Sequence, residues 1–360
     1  MTTYGKNIKM TIYGGSHDSE IGVKIMGLPK GFTFDEGELS AFMKRRAPGN
    51  SPYSTKRKEA DEPVFISGVD GYTLNGDELC AVIKNTNQHS SDYEQKSFIP
   101  RPSHADFAAK IKYGESVDLR GGGHFSGRLT APMCIVGGIC LQYLKSIGIE
   151  IGAHLYAVGG VYDTPFNMVT PKEQLDILKD RSDFPVLDTE RGEAMKAAIT
   201  AAASEGDSVG AIIECAAVGL PIGLGEHMFD GMENRISSIV FGIPAVKGIE
   251  FGNGFECARI RGSQNNDEFI TDGKTVTAKT NNAGGILAGM TSGMPLVFRA
   301  AMKPTPSIYK EQNSVDMATM TPVKLTVKGR HDPCVALRAT PVFEAACAIA
   351  IYDALLDNNT

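Results

Sequence analysis

The chain has no surplus of positive charge. Its 36 Lys and Arg face 42 Asp and Glu, for a net charge of −6. Such a chain is a poor general binder of nucleic acid or of an anionic membrane, so any anion site must be a local gathering of cations. Paired cysteines are missing too. Cys80, Cys134, Cys140, Cys215, Cys257, Cys334 and Cys347 are odd in number, and none stand in C-x-x-C spacing. This argues against a disulfide framework or a zinc site, so no metal is expected, and it favours a reducing, cytoplasmic setting. There is no membrane-length apolar run. The longest, 129–144, covers 16 residues and contains Thr130, Pro132, Gly137, Gly138 and Gln142, whereas a span needs roughly 20 apolar residues. The opening MTTYGKNIKMTIYGG has neither an apolar stretch nor a cleavage pattern, so no secretory leader is expected. No segment shifts to low complexity, and residues 1–360 read as one domain without a linker.

What is present is ordinary globular material, 42% hydrophobic and 22% charged, which excludes a largely disordered chain. Glycine is the exception: 40 of 360 residues, against roughly 7% in average usage, imply many tight turns and close backbone approaches. Residues 21–26 and 81–84 read as strands, and 209–218 as a buried strand. Residues 323–328 alternate in strand fashion. Helices are expected over 39–46, with Ser40 or an earlier acid at its start, and over 105–112, 129–147, 171–179, 190–205 and 342–356. Strands cluster and helices are not regularly interleaved with them, which predicts α+β, helices packed on antiparallel sheet.

Between Lys44 and Lys58 lie Arg45, Arg46, Lys56 and Arg57 and no acid. In an acidic protein this is either a phosphate or carboxylate grip or a solvated loop. Arg101-Pro102-Ser103-His104-Ala105-Asp106 sets a histidine beside an arginine just before a helix, fit for a general acid or for a cap. Arg120-Gly121-Gly122-Gly123-His124-Phe125-Ser126-Gly127-Arg128 precedes a helix and reads as a phosphate-cradling loop or a tight turn; it is neither a Walker A loop nor a dinucleotide fingerprint. Lys303-Pro304-Thr305-Pro306-Ser307 offers a cation and hydroxyls for a phosphate tail, and Arg330-His331-Asp332 offers an arginine and a carboxylate after a strand. His17 adjoins Ser16, but neighbours in an extended segment point to opposite faces, so they are not a nucleophile–base pair.

In this order these segments resemble chorismate synthase. Arg45-Arg46-Ala47-Pro48-Gly49, the Arg101–Asp106 segment, Lys112-Tyr113-Gly114 and Arg120-Gly121-Gly122-Gly123 carry the likeness, with Glu205-Gly206-Asp207-Ser208, Arg261-Gly262-Ser263-Gln264-Asn265 and Gly329-Arg330-His331-Asp332-Pro333-Cys334. It runs from Gly14 to about residue 356 and also takes in Ser54-Thr55, Arg57, Glu59 and Asp61. The resemblance implies an anti-1,4-elimination that converts 5-enolpyruvylshikimate 3-phosphate to chorismate and phosphate in aromatic amino-acid synthesis. It implies reduced FMN without net redox change, a sandwich of antiparallel sheets around helices, and a homotetramer. An external flavin reductant is expected rather than built-in NADPH oxidation, because no Rossmann-like segment is added. By the same likeness His17 protonates the leaving phosphate, His104 the reduced flavin near N1, and Asp332 with Ser16 works through flavin N5 to remove the substrate proton. Arg46, Arg101, Arg128 and Arg330 line the substrate and flavin anions. His124, Phe125, Ser126, Ala245, Ala288, Lys303, Pro304, Thr305, Pro306, Ser307 and Arg330 fall on the FMN-contact segments. The chain departs from the family where Gly14-Gly15-Ser16-His17-Asp18 replaces Gly-Glu-Ser-His-Gly. Asp18 is therefore expected to strain any turn that needs φ > 0 and to raise the pKa of His17. Pro52, Ser103 and His124 also stand where many members carry arginine, glycine and arginine.

Overall fold

Ile21, Val23 and Ile25 alternate with Gly22 and Lys24 along the strand Glu20–Met26, and all three are fully buried. The structure, a computed structural model, describes residues 2–49, 51–55, 59–85, 98–181, 183–327, 329 and 331–359. In it that strand is the centre of a five-stranded sheet ordered Thr2–Tyr4, Lys9–Gly14, Glu20–Met26, Leu79–Lys84, Val64–Ser67. A second sheet of five runs Val246–Phe251, Leu296–Met302, Ala211–Val218, Glu150–Val158, Val161–Tyr162. Every pairing in both is antiparallel.

The described helices are α1 (Glu36–Arg46), α2 (Asp106–Tyr113), α3 (Thr130–Ser146), α4 (Lys172–Lys179), α5 (Thr189–Ser204), α6 (Met232–Phe241), the single turn α7 (Gly262–Asn265) and α8 (Ala336–Leu355). α3 contacts Glu20–Met26 and Leu79–Lys84 of the first sheet, α8 contacts Glu150–Val158 and Ala211–Val218 of the second, and the two helices pack on each other. Gly137 makes that approach possible: a Cβ there would lie 2.2 Å from the Cβ of Ala345. One cluster of buried apolar side chains reaches from Ile8 to Ala354. A smaller one, Phe166, Leu175, Leu178, Ala216 and Val297, covers the opposite face of the second sheet. Ala211–Val218 is thus buried on both faces, which is why its sequence is a nearly unbroken apolar run rather than an alternation.

Several boundaries differ from the sequence reading; α1 begins at Glu36 rather than residue 39, and the largest shift is in the last helix. α8 begins at Ala336, not at residue 342. Proline and the residue before it disfavour helix, but Pro341 lies in the second turn, and the cost is outweighed by burial of Ala336, Leu337, Ala339 and Val342. The strand expected over 323–328 spans Thr321–Leu325, paired with Gln312–Asp316; Lys328 lies outside the described residues.

Two buried polar clusters join distant parts. His154 is fully buried with Nδ1 3.0 Å from Asp163 and Nε2 2.9 Å from Glu214, which also accepts from Arg299 Nε at 2.8 Å. Near the chain ends, Asp353 in α8 accepts the backbone N–H groups of Asn7 and Ile8 at 2.8 and 2.9 Å and Arg235 Nη1 at 3.0 Å. No helix among the described residues is long and apolar enough to cross a membrane.

Candidate active site

The basic run after residue 43 is the last turn of α1. Asp35 caps the helix by accepting from Glu38 N–H at 2.7 Å, Glu36 and Glu38 lie in the first turn, and Lys44, Arg45 and Arg46 lie in the last, each sign matching the helix dipole. Helical rotation then parts the two arginines. Arg45 makes a bidentate pair with Glu344 of α8 at 2.6 and 2.8 Å. Arg46, 2% exposed, pairs with buried Asp61. Arg128 binds the other oxygen of Asp61, reaches Glu59 at 3.1 Å and donates to Asn85 at 3.0 Å. Burial alone would raise the Asp61 carboxyl, but Arg46 and Arg128 outweigh it and hold it below the usual range. Lys56, Arg57 and Lys58 lie outside the described residues.

The triple glycine takes φ of +58°, +103° and +52° at Gly121, Gly122 and Gly123, a left-handed path open only to glycine at so little cost. The path is needed because it passes over both histidines. A Cβ on Gly121 would fall 2.5 Å from His17 Nε2, and one on Gly122 would fall 3.6 Å from His104 Nε2. The loop is less open than a phosphate cradle: Gly122 N–H bonds to Leu119 O, Ser126 N–H to Gly123 O and Arg128 N–H to Ser126 Oγ. Ser16 is buried and donates from Oγ to Arg120 O at 3.1 Å. Residues 15–18 form a turn closed by Asp18 N–H to Gly15 O at 3.1 Å, and Asn85 Nδ2 donates to both carbonyls. The expected strain at Asp18 is absent: the positive φ of this turn belongs to Gly14, at +90°. The Asp18 carboxylate folds back on Gly15, where a Cβ would meet its Oδ2 at 3.2 Å. The strained substitution is Ser103, at φ +58°.

A cavity of about 590 Å³ opens beside this loop, within the usual roughly 300–1,000 Å³ of small-molecule sites. Its walls bring together Arg46, Arg101, His104, His124, Phe125, Ser126, Arg128, Ala245, Lys303, Thr305, Pro306, Ser307 and Asp332. His104 Nδ1 lies 2.7 Å from Asp106, which Arg101 grips at 2.6 and 2.7 Å. Burial would raise the Asp106 carboxyl, but hydrogen bonds from Arg101 and His104 outweigh it and hold it well below the usual range. Asp332 accepts Thr55 N–H at 2.8 Å and Arg338 Nη1 at 2.7 Å. Lys303 Nζ bonds Ser103 O, and burial and then Lys247 lower its pKa. Arg128 Nη2 and Thr305 Oγ1 are buried and find no hydrogen-bond partner among the described residues.

Other expected residues lie elsewhere. Ser16 and His17 are not on the cavity wall; Gly121, which is on it, separates them from it. Pro304 is off the wall too, near Gly210. Ala288, at φ +52°, forms the hairpin turn between Ile286–Leu287 and Met290–Thr291 and does not line this cavity. Arg330 is outside the described residues. A second cavity of about 980 Å³ shares His124, Ser126, Thr130 and Pro244 with the first and is lined by Tyr13, Asp18 and Glu20. Sequence reasoning gave no role to Glu59 and Asp61, although both fell inside a matched stretch, and it missed Arg338. The signal for Arg338 was its isolation as the single basic residue of an apolar helix.

Comparison with known proteins agrees over nearly the whole chain. The chorismate synthase family model matches residues 8–356. A protein of Lancefieldella parvula named chorismate synthase is 46% identical, the match covering 98% of this chain and 96% of that one. One of Thermococcus kodakarensis with the same name is 45% identical, covering 98% and 97%. A crystal structure of chorismate synthase superposes with a TM-score of 0.77 at 27% identity, over 98% of this chain and 93% of that one.

Proposed function

The chain belongs to the chorismate synthase family, and from that premise we propose that it is a lyase that eliminates phosphate from 5-enolpyruvylshikimate 3-phosphate to give chorismate, with reduced FMN bound beside the substrate. The observation that carries the reading is one cavity holding Arg46, Arg101, Arg128, Lys303 and Arg338 together with His104 and Asp332. A phosphorylated dicarboxylate beside a flavin phosphate repels it unless cations stand between them. Carboxylates at Glu59, Asp61, Asp106 and Asp332 neutralise most of these cations in the free protein. An arriving anion therefore competes for guanidinium groups already desolvated and aligned.

The residues present suit a flavin. Thr305 Oγ1 and Arg128 Nη2 offer unspent polar atoms, and Gly121 and Ala245 leave the wall low. His124, Phe125, Ser126, Ala245, Lys303, Thr305 and Ser307 would hold it; for Ala288 and Arg330 the support is the resemblance alone. When bound, reduced FMN would supply transient electron density to the substrate as the C–O bond to phosphate breaks, with no net redox change. The chain's own part is acid–base work and positioning. Asp332 is the carboxylate that accepts the substrate proton, supported by Arg338. For His17, which Gly121 separates from the cavity, the role of donor to the leaving phosphate rests on the resemblance alone, and His104 is the acid toward the flavin, working from Nε2 when its ring is cationic.

The α3–α8 layer between the sheets supports the sandwich reading, and the core from Ile8 to Ala354 supports a single domain over 1–360. The antiparallel sheets carry no dinucleotide fold among the described residues, which favours an external reductant. Exposed Phe229, Phe255 and Phe269 suit subunit contacts in a tetramer, in the reducing cytoplasm that the cysteines imply. An anaerobic assay with chemically reduced FMN and 5-enolpyruvylshikimate 3-phosphate should release phosphate and chorismate in equal amounts. No phosphate release under those conditions defeats the reading.

A further inference from the structure

We infer that Asp106 is the positioning residue of His104, fixing its ring so that Nε2 works toward the cavity, and that Arg101 in turn orients Asp106. What His104 does rests on the function proposed above; the placement of its proton does not. Asp106 is 4% exposed and lies 2.7 Å from His104 Nδ1. Its ionised carboxylate can only accept, so the proton of that short contact sits on Nδ1. The neutral ring then has its lone pair on Nε2 and the cationic ring has an N–H there. Nε2 is the atom beside Gly122, the middle glycine of the loop that also covers His17.

Arg101 Nη2 stands 3.2 Å from His104 Nδ1, but a nitrogen that already carries a proton cannot accept another. Its hydrogen bonds go to Asp106, from Nε at 2.6 Å, from Nη2 at 2.7 Å and from the backbone N–H at 3.0 Å. Nη1 is 3.5 Å from Ser307 Oγ. The loop thus closes around its own carboxylate, with the Nε and Nη2 edge of the guanidinium spent on Asp106 and Nη1 left on the cavity side near Ser307. A bidentate arginine holds a carboxylate's orientation as well as its charge. Through it the tautomer of His104 is set by a residue that never meets the reacting atoms.

The test is ring-nitrogen NMR on uniformly 15N-labelled full-length protein, with the His104 signals assigned by their loss in His104→Gln. Neutral His104 in the wild type should be protonated at Nδ1. Asp106→Asn should move several-fold more of it to the Nε2–H form and lower kcat on the order of 10²-fold with KM little changed. Arg101→Met, which frees the Asp106 carboxylate to turn, should move the His104 tautomer in the same direction. An Nε2–H tautomer in the wild type, or an unaltered tautomer in Asp106→Asn, would each overturn the inference. The spectra need neither flavin nor substrate, so a chain that failed to release phosphate would still give an answer.

Discussion

Asp332 is engaged before any ligand arrives, by Arg338 Nη1 at 2.7 Å and Thr55 N–H at 2.8 Å. Asp332→Asn keeps the shape, removes the base and leaves Arg338 without its anion. The variant should lose on the order of 10²–10³ in phosphate release and about 1–3 kcal/mol in urea unfolding, since both partners are largely buried. Gly121→Ala should be worse tolerated than its size suggests. It puts a Cβ at φ +58° and 2.5 Å from His17 Nε2, so about 1–3 kcal/mol of strain and a displaced histidine should appear together in Tm and kcat. Gly15 and Asp18 should behave as a pair: Gly15→Glu alone drives its Cβ against the Asp18 carboxylate at 3.2 Å and lowers Tm, and adding Asp18→Gly restores it. Thermal melts of the two single variants and the double variant check this. The types of these residues were legible in sequence, but the direction of their contacts was not. Nothing along the chain says that Arg45 turns to Glu344 while Arg46 turns to Asp61, because one residue of helical rotation decides it.

At the scale of elements, periodicity located six of the eight described helices but only three of the ten strands in the two five-stranded sheets, those with the clearest apolar runs. It failed where tertiary burial overrode a local rule, as at Pro341 in α8, whose first turns are held by the apolar surface they cover. Close helix packing left a fainter trace. Gly137 looked like any glycine in an apolar run, yet it is where α3 meets Ala345 of α8. Gly137→Leu should therefore cost about 1–3 kcal/mol or more by overpacking and lower the urea midpoint without altering cavity residues. A Gly137→Leu protein as stable as the wild type would mean that the two helices are not in contact at that point.

Across the whole molecule the buried charges set how stability follows pH. Asp61, Asp106, Asp163 and Glu214 are all held below ordinary carboxylate values. Their contribution is present above about pH 4 and lost as pH falls toward the depressed folded values. Burial pulls His154 toward its neutral form, but Asp163 and Glu214 outweigh it and raise its pKa. Its contribution is full below about pH 6.5 and lost as pH climbs through the raised folded value. Urea unfolding across pH should show a maximum between these limits, with an alkaline decline that His154→Gln removes. The cluster of His154, Asp163, Glu214 and Arg299 was invisible in sequence because His154, Glu214 and Arg299 come from three separate strands, whereas the cavity was legible from short motifs that keep their order. The join between Asp353 and the backbone of Asn7 and Ile8 bears on biosynthesis. The backbone N–H groups of Asn7 and Ile8 lack their acceptor until the last helix is translated. The turn between the first two strands must wait for α8 to be made, and truncating α8, which also covers the second sheet, should yield insoluble chains rather than a smaller folded protein.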